Sequence, residues 1–174
     1  FRRVLFRSAA LAALAMAAAV VLFSYSQDWA TATVAVFSGA DSSPTAELSL
    51  TGRELAPLGS ACGWVVLAGI AGILATRSWG RRIVGGVVAL AGAYAGVTAL
   101  TFGLSQASFV DAALAARTNG SASASAATAT TWWIAAVLGG LLALCVGVLA
   151  LTRGPAWPGM SRRYERGEAS ARDR

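Results

Sequence analysis

The chain has 174 residues, of which 56% are hydrophobic and 13% charged, about half the charged share of a soluble domain. Its basic residues are all arginine, 14 against 8 acids for a net charge of +6, and it has no histidine. A small polytopic membrane protein is the expected class, and chemistry that depends on histidine, the commonest metal ligand and general base, is excluded.

The chain opens at Phe1 without an initiator Met, so its first residues are read as a truncated or altered start, with 1–3 as a short cytoplasmic N-terminus. Residues 4–23 form an alanine-rich apolar run that Arg2, Arg3 and Arg7 flank and enter. A charged segment before an apolar stretch also describes a signal peptide. The length of the run, and the lack of an A-x-A site in Ser24-Tyr25-Ser26-Gln27, favour a retained first span. Its modest hydrophobicity makes it depend on neighbouring helices.

Residues 24–57 change to Ser, Thr, Asp and Glu and read as an external loop. Thr31, Thr33, Ala35 and Phe37 alternate with Ala32, Val34 and Val36, and Ala46, Leu48 and Leu50 alternate with Glu47, Ser49 and Thr51. A period of two on either side of Ser38-Gly39-Ala40-Asp41-Ser42-Ser43-Pro44 predicts a β-hairpin lying on the outer ends of the helices, with a structureless loop as the alternative. Arg53 and Glu54 read as a solvated pair or a helix-start cap, the alternative being a site for a charged ligand. Pro57 suits the first turn of the next helix, where its missing N–H would be unpaired anyway.

Residues 58–76 and 83–104 contain no Asp, Glu, Lys or Arg, and each is long enough to cross about 30 Å of hydrocarbon at roughly 1.5 Å per residue. The connection 77–82, Arg77-Ser78-Trp79-Gly80-Arg81-Arg82, has no room for a domain, so the two spans form an antiparallel hairpin. Its three arginines place the turn in the cytoplasm, and Trp79 suits the membrane–water interface. At 100° per residue Gly85, Ala89, Gly92 and Gly96 share one stripe of the third span, with Tyr94, Thr98, Thr101 and Ser105 nearly opposite. Small residues let a helix approach closely, and hydroxyls in a membrane need partners, so this helix is expected to be central, with neighbours on both sides. The Tyr94, Thr98 and Thr101 stripe is a candidate polar pocket, or else bonds other helices or its own backbone.

Residues 105–131 hold Phe109, Val110, Ala113 and Leu114 at helical spacing, then a Ser/Ala/Thr linker with nothing to bury. The helical part is expected to extend the third span or to lie along the outer surface. The fourth span, 132–152, opens with Trp132 and Trp133 as interfacial anchors. Ala136, Gly139, Gly140, Ala143, Gly147 and Ala150 form its small side, expected to face the bundle, while Val137, Leu138, Leu141, Leu144 and Val148 face lipid. Cys62 falls near the outer surface and Cys145 in the inner half, so a disulfide between them is not expected. Residues 153–174 form a basic tail.

With both ends cytoplasmic, 12 of the 14 arginines lie inside and only Arg53 and Arg117 outside, the distribution expected of an inner-membrane protein. The positive charge then reports orientation and contact with anionic lipid, and no nucleic-acid binding is expected. No cofactor is expected, and no enzyme: the sequence has no Ser/His/Asp set, no cysteines at metal spacing, no Walker-type loop, and no acid in the last three spans to relay protons. The fold class is an all-α four-helix transmembrane bundle with a small external β-hairpin between the first and second spans.

Thr51-Gly52-Arg53-Glu54-Leu55 with Pro57, Ala75-Thr76-Arg77 and Trp79-Gly80-Arg81-Arg82, Trp132-Trp133, Trp157-Pro158-Gly159-Met160 and Arg163-Tyr164-Glu165 together resemble the tryptophan-associated transmembrane proteins of actinobacteria. That family is named for genes lying among those of tryptophan biosynthesis. The resemblance runs from the first span to Glu165 and is most specific in the tail and the cytoplasmic turn. It implies a four-span inner-membrane protein of unestablished activity and supplies no catalytic residues.

The leading functional expectation is a structural or accessory membrane protein. Arg77, Trp79, Arg81, Arg82, Trp157, Arg163 and Tyr164 are its candidate contacts with a membrane or cytoplasmic protein partner or with lipid, and Gly85, Ala89, Gly92, Gly96, Gly139, Ala143 and Gly147 its helix-packing residues. The alternative is a small oligomeric transporter or exporter of tryptophan or a related aromatic compound, lined by Tyr94, Thr98 and Thr101 and self-associating through the Gly92/Gly96 ridge. An envelope sensor ranks third.

Overall fold

The computed structural model describes residues 2–35, 45–76, 78–118 and 124–153. In chain order its elements are α1 (Arg2–Ser26), β1 (Asp28–Ala35), β2 (Thr45–Thr51), α2 (Gly52–Leu55), α3 (Pro57–Ala75), α4 (Ser78–Leu104), α5 (Gln106–Thr118), β3 (Ala124–Ala129) and α6 (Trp132–Arg153). Stretches of α1, α3, α4 and α6, namely Ser8–Ser26, Pro57–Ala75, Trp79–Leu104 and Trp132–Arg153, are each long and apolar enough to cross a membrane. The chain is a multi-pass membrane protein.

The four long helices pack in the cyclic order α1, α3, α4, α6, and each is antiparallel to both neighbours. The α4–α6 seam is the most extensive contact, because glycines on each helix admit the backbone of the other. A Cβ on Gly92 would fall 2.7 Å from the backbone N of Leu144, one on Gly140 2.6 Å from that of Gly96, and one on Gly147 2.5 Å from that of Ala89. The small side of α6 faces inward as expected: Ala136, Gly139, Gly140, Ala143, Gly147 and Ala150 are buried, while Leu138, Leu141 and Val148 are exposed.

The sheet closes one end of the bundle, and the α3–α4 turn, the start of α1 and the end of α6 lie at the other. Its strand order is β2-β1-β3, both pairs antiparallel. The expected hairpin is present as β1 and β2, Thr33 opposite Glu47 and Ala32 opposite Leu48, and its connecting residues 36–44 lie outside the described residues. A bulge between Asp28 and Ala30 breaks the alternation, so that Trp29 and Ala30 are both buried although adjacent in sequence.

Two expectations are corrected here. The Ser/Ala/Thr linker supplies a third strand, β3, which covers the free edge of β1 with Thr31 opposite Thr128 and Ala32 opposite Ala127. The 77–82 turn is largely helix: α4 begins at Ser78, so Trp79, Arg81 and Arg82 lie on its first turns. The chain breaks at Ser105, and α5 is a separate helix that buries Val110 and Leu114 at the sheet end.

Candidate functional site

Sequence reasoning pointed to two places, a hydroxyl stripe on α4 and an arginine cluster at the α3–α4 turn, and the structure treats them differently. Tyr94 is 46% exposed, Thr98 is partly exposed and Thr101 is exposed, all on the outward face of α4. The Thr98 hydroxyl donates to the Tyr94 carbonyl at 2.8 Å, and the Thr101 hydroxyl to the Thr98 carbonyl at 2.8 Å. The stripe therefore lines no polar pocket among the described residues. The reason is the order of the bundle. The neighbours of α4 are α6 and α3, on adjoining faces, so the third face has no helix against it.

The small-residue ridge of α4 packs within the chain. Gly85, Ala89, Gly92 and Gly96 are covered by α6 of the same chain, and a Cβ on Gly85 would fall 2.7 Å from the backbone N of Leu151. Gly139 turns the other way, toward Val20 and Val21 of α1, while Ala143 is fully buried between the helices. These seven residues act together as packing surface.

At the turn end, Trp79 is 73% exposed, Arg82 and Arg153 are exposed, and Arg81 is 3% exposed. The Arg81 guanidinium folds back on the end of α3, where Nε donates to the Ile73 carbonyl and a terminal nitrogen to the Thr76 carbonyl, both at 3.3 Å. A cation there also meets the negative end of the α3 dipole. Arg81 is thus a buried helix cap rather than a contact residue. Arg77, Trp157, Arg163 and Tyr164 lie outside the described residues.

The sheet end holds the residues that sequence reasoning missed. Tyr25 and Trp29 are fully buried with ring centroids 4.7 Å apart, Trp29 and Phe102 are 5.1 Å apart, and Phe109 meets Phe102 edge-on at 5.8 Å. Each polar tip has a partner: the Tyr25 hydroxyl donates to the Ala95 carbonyl at 2.9 Å, and the Trp29 indole to the Ser24 carbonyl at 2.8 Å. Gly52 is required below this cluster, since a Cβ there would run into the Trp29 ring. The available signal was Trp29 four residues after Tyr25, immediately before an alternating segment.

Glu54 and Arg53 do not pair as a unit. The Glu54 carboxylate accepts from the Thr51 N–H at 3.0 Å, which caps α2, and forms an ion pair with Arg117 of α5. Partial burial works to raise its pKa, but the Thr51 N–H and the Arg117 charge outweigh it and hold the carboxyl below the ordinary glutamate value. Both cysteines are free. Among the described residues no three His, Cys, Asp or Glu side chains come together in a way that could hold a metal ion.

A family model described as "tryptophan-associated transmembrane protein" matches residues 11–174. Neither the curated proteins nor the solved structures give a match.

Proposed function

The chain belongs to the tryptophan-associated transmembrane protein family, and from that premise we propose that it is an accessory protein of the plasma membrane, with both termini in the cytoplasm and its arginine end set against anionic headgroups or a protein partner. The observation that carries this reading is convergence. By chain connectivity the start of α1, the α3–α4 turn and the end of α6 share one end of the bundle, and with them go the helix positions of Arg2, Arg3, Arg7, Arg81, Arg82 and Arg153. The sheet end has Arg53 and Arg117, and the charge of Arg117 is matched by Glu54. Short arginine-rich segments are retained in the cytoplasm, so this end is the inner one and the sheet is external.

Within the cluster the roles divide. Arg81 is committed to the end of α3, whereas Arg82, Arg153 and the exposed Trp79 are free to meet the membrane surface. An arginine near an anionic surface contributes about 1 kcal/mol, so a cluster of this size holds the bundle firmly in register with the inner leaflet. The transport alternative loses its supporting observation, because of the hydroxyls assigned to a pore lining those of Thr98 and Thr101 serve their own helix, and Tyr94 is 46% exposed.

The test uses a variant lacking Cys62 and Cys145, with single cysteines at Ser49, exposed on β2, and at Ser170 of the tail. Position 49 should label only from outside the cell and position 170 only from inside. A cross-linker at 170 should capture a cytoplasmic protein or anionic lipid, and Arg82→Ala with Arg153→Ala should reduce the capture several-fold. Labelling of 170 from outside would reverse the orientation. Internal labelling with no capture would end the accessory reading.

A further inference from the structure

We propose that the arginine end of the α4–α6 seam is a binding site for a phospholipid with two phosphates in one headgroup, a diphosphatidylglycerol, Arg82 taking one phosphate and Arg153 the other. The site rests on the accessory reading, from which it takes its place at the inner leaflet, and it names the partner at that end as a lipid. The glycine seam creates it. Gly85 brings the backbones of α4 and α6 into contact, since a Cβ there would fall 2.7 Å from the backbone N of Leu151. Arg82 lies three residues before Gly85 and Arg153 two residues after Leu151, in antiparallel helices. Both are therefore carried past the contact in the same direction, by about 4.5 and 3 Å at roughly 1.5 Å per residue. Arg82 continues the stripe of Gly85, Ala89 and Gly92, and Arg153 that of Ala143, Val146 and Ala150, each at steps of three and four.

Two cations are thus held side by side at one level. Both are exposed, and neither forms an ion pair or hydrogen bond with another described residue. The acids among the described residues, Asp28, Glu47, Glu54 and Asp111, all lie at the sheet end, on β1, β2, α2 and α5. Residues 154–174 carry five arginines against three acids, so the tail adds positive charge in net. The complement of this end is an anion with two charges, one for each guanidinium.

Depth makes that anion a lipid. Ile83 and Leu151, just inside the two arginines, are 53% and 40% exposed and begin the apolar outer surface of the bundle, while Trp79, 73% exposed, lies one turn further out. The guanidiniums therefore stand where that surface gives way to water, level with the phosphates of the adjoining leaflet. A guanidinium grips a phosphate through paired N–H donors. Once one phosphate of a joined pair is bound, the second is held beside the other arginine at high effective concentration, which two separate lipids do not achieve. The acyl chains then cover Ile83 and Leu151, an apolar contact that a soluble diphosphate lacks. Basic sites between spanning helices on the cytoplasmic side suit such headgroups.

The test is native mass spectrometry of the full chain in detergent, titrated with diphosphatidylglycerol or with phosphatidylglycerol at equal phosphate. The unmodified chain should retain diphosphatidylglycerol several-fold more tightly. Arg82→Gln and Arg153→Gln should each bring it down to the phosphatidylglycerol level, and Arg82→Lys, which keeps the charge without the paired donors, should fall between. Both side chains are exposed, so the lipid-free Tm of these variants should match that of the unmodified chain. Equal retention of the two lipids per phosphate would overturn the two-phosphate site and leave the accessory reading standing, whereas retention of neither above phosphatidylcholine would remove anionic lipid from both. Diphosphatidylglycerol binding undiminished in both Gln variants would overturn the assignment to Arg82 and Arg153. Displacement by equimolar inorganic pyrophosphate would overturn a lipid as the occupant.

Discussion

Glu54 ties α2 to its neighbours with one carboxylate: it accepts from the N–H of Thr51 at the end of β2, which caps α2, and holds α5 through Arg117. Its pKa is lowered in the folded protein, so the stabilisation is complete above the ordinary glutamate value of about 4.3 and is lost as the pH falls through the lower folded value. The side chains of the ion pair are 37% and 40% exposed, and solvent screening limits their contribution to below about 1 kcal/mol. Hydrogen exchange expressed as protection factors should therefore show α5 loosening in acid. Glu54→Gln should show that loosening already at neutral pH, with little further change on acidification. Arg81 teaches the opposite lesson about charge. It reads in sequence as one of three loop arginines, yet it is buried against Ile73 and Thr76 because α4 starts before it. Whether an arginine at a membrane surface extends to the headgroups or folds back depends on the helix end beside it, which local sequence does not reveal.

Among the elements, α4 and α6 are held together by shape. Gly92→Val would press a branched side chain into the backbone of α6, where nothing can move aside, and should cost about 1–3 kcal/mol or more. Gly86→Ala is the control, since a Cβ there meets only the end of the Leu151 side chain at 3.5 Å. Thermal unfolding in detergent should separate the two, with a clear fall in Tm for Gly92→Val and little change for Gly86→Ala. The glycine stripe was legible because small residues recur at helical spacing. The strand β3 was not: in Ala-Ser-Ala-Ala-Thr-Ala both faces carry small side chains, so a period of two has no contrast, and alanine has low strand propensity. That segment is a strand because β1 presents an unpaired edge to it.

At the scale of the molecule the described residues form two cores. One, around Leu14, Val66, Ile73, Val88 and Val146, lies within the spans, and the other, around Tyr25, Trp29, Leu50, Phe102, Val110 and Leu114, joins the sheet and α5 to the bundle. The aromatic core makes the sheet end a packed cap rather than a set of loops. Trp29→Ala removes its central ring and the indole bond to Ser24, and should cost about 3–5 kcal/mol. Exchange protection and protease resistance should fall first in β1, β2, β3 and α5, while amides around Val66 and Val146 stay protected. Uniform loss throughout the chain would mean that the two cores unfold as one unit.

Four apolar runs, the distribution of arginine and the alternation in residues 45–51 were enough to establish the spans, an expected orientation and the position of a small sheet. Those properties depend on the hydrophobicity of each segment and on local periodicity, which a single sequence carries in full. The order of the helices around the bundle was decided by tertiary structure, because every span is uncharged and largely apolar on all sides over Ser8–Ser26, Pro57–Ala75, Ile83–Leu104 and Trp132–Thr152, and many pairings would satisfy the solvent. That order buried the glycine ridge against α6, turned Tyr94 and the threonines outward, and brought Trp29 between residues more than seventy positions apart. Backbone approach and ring contact depend on three-dimensional fit between segments, and no one segment contains that information.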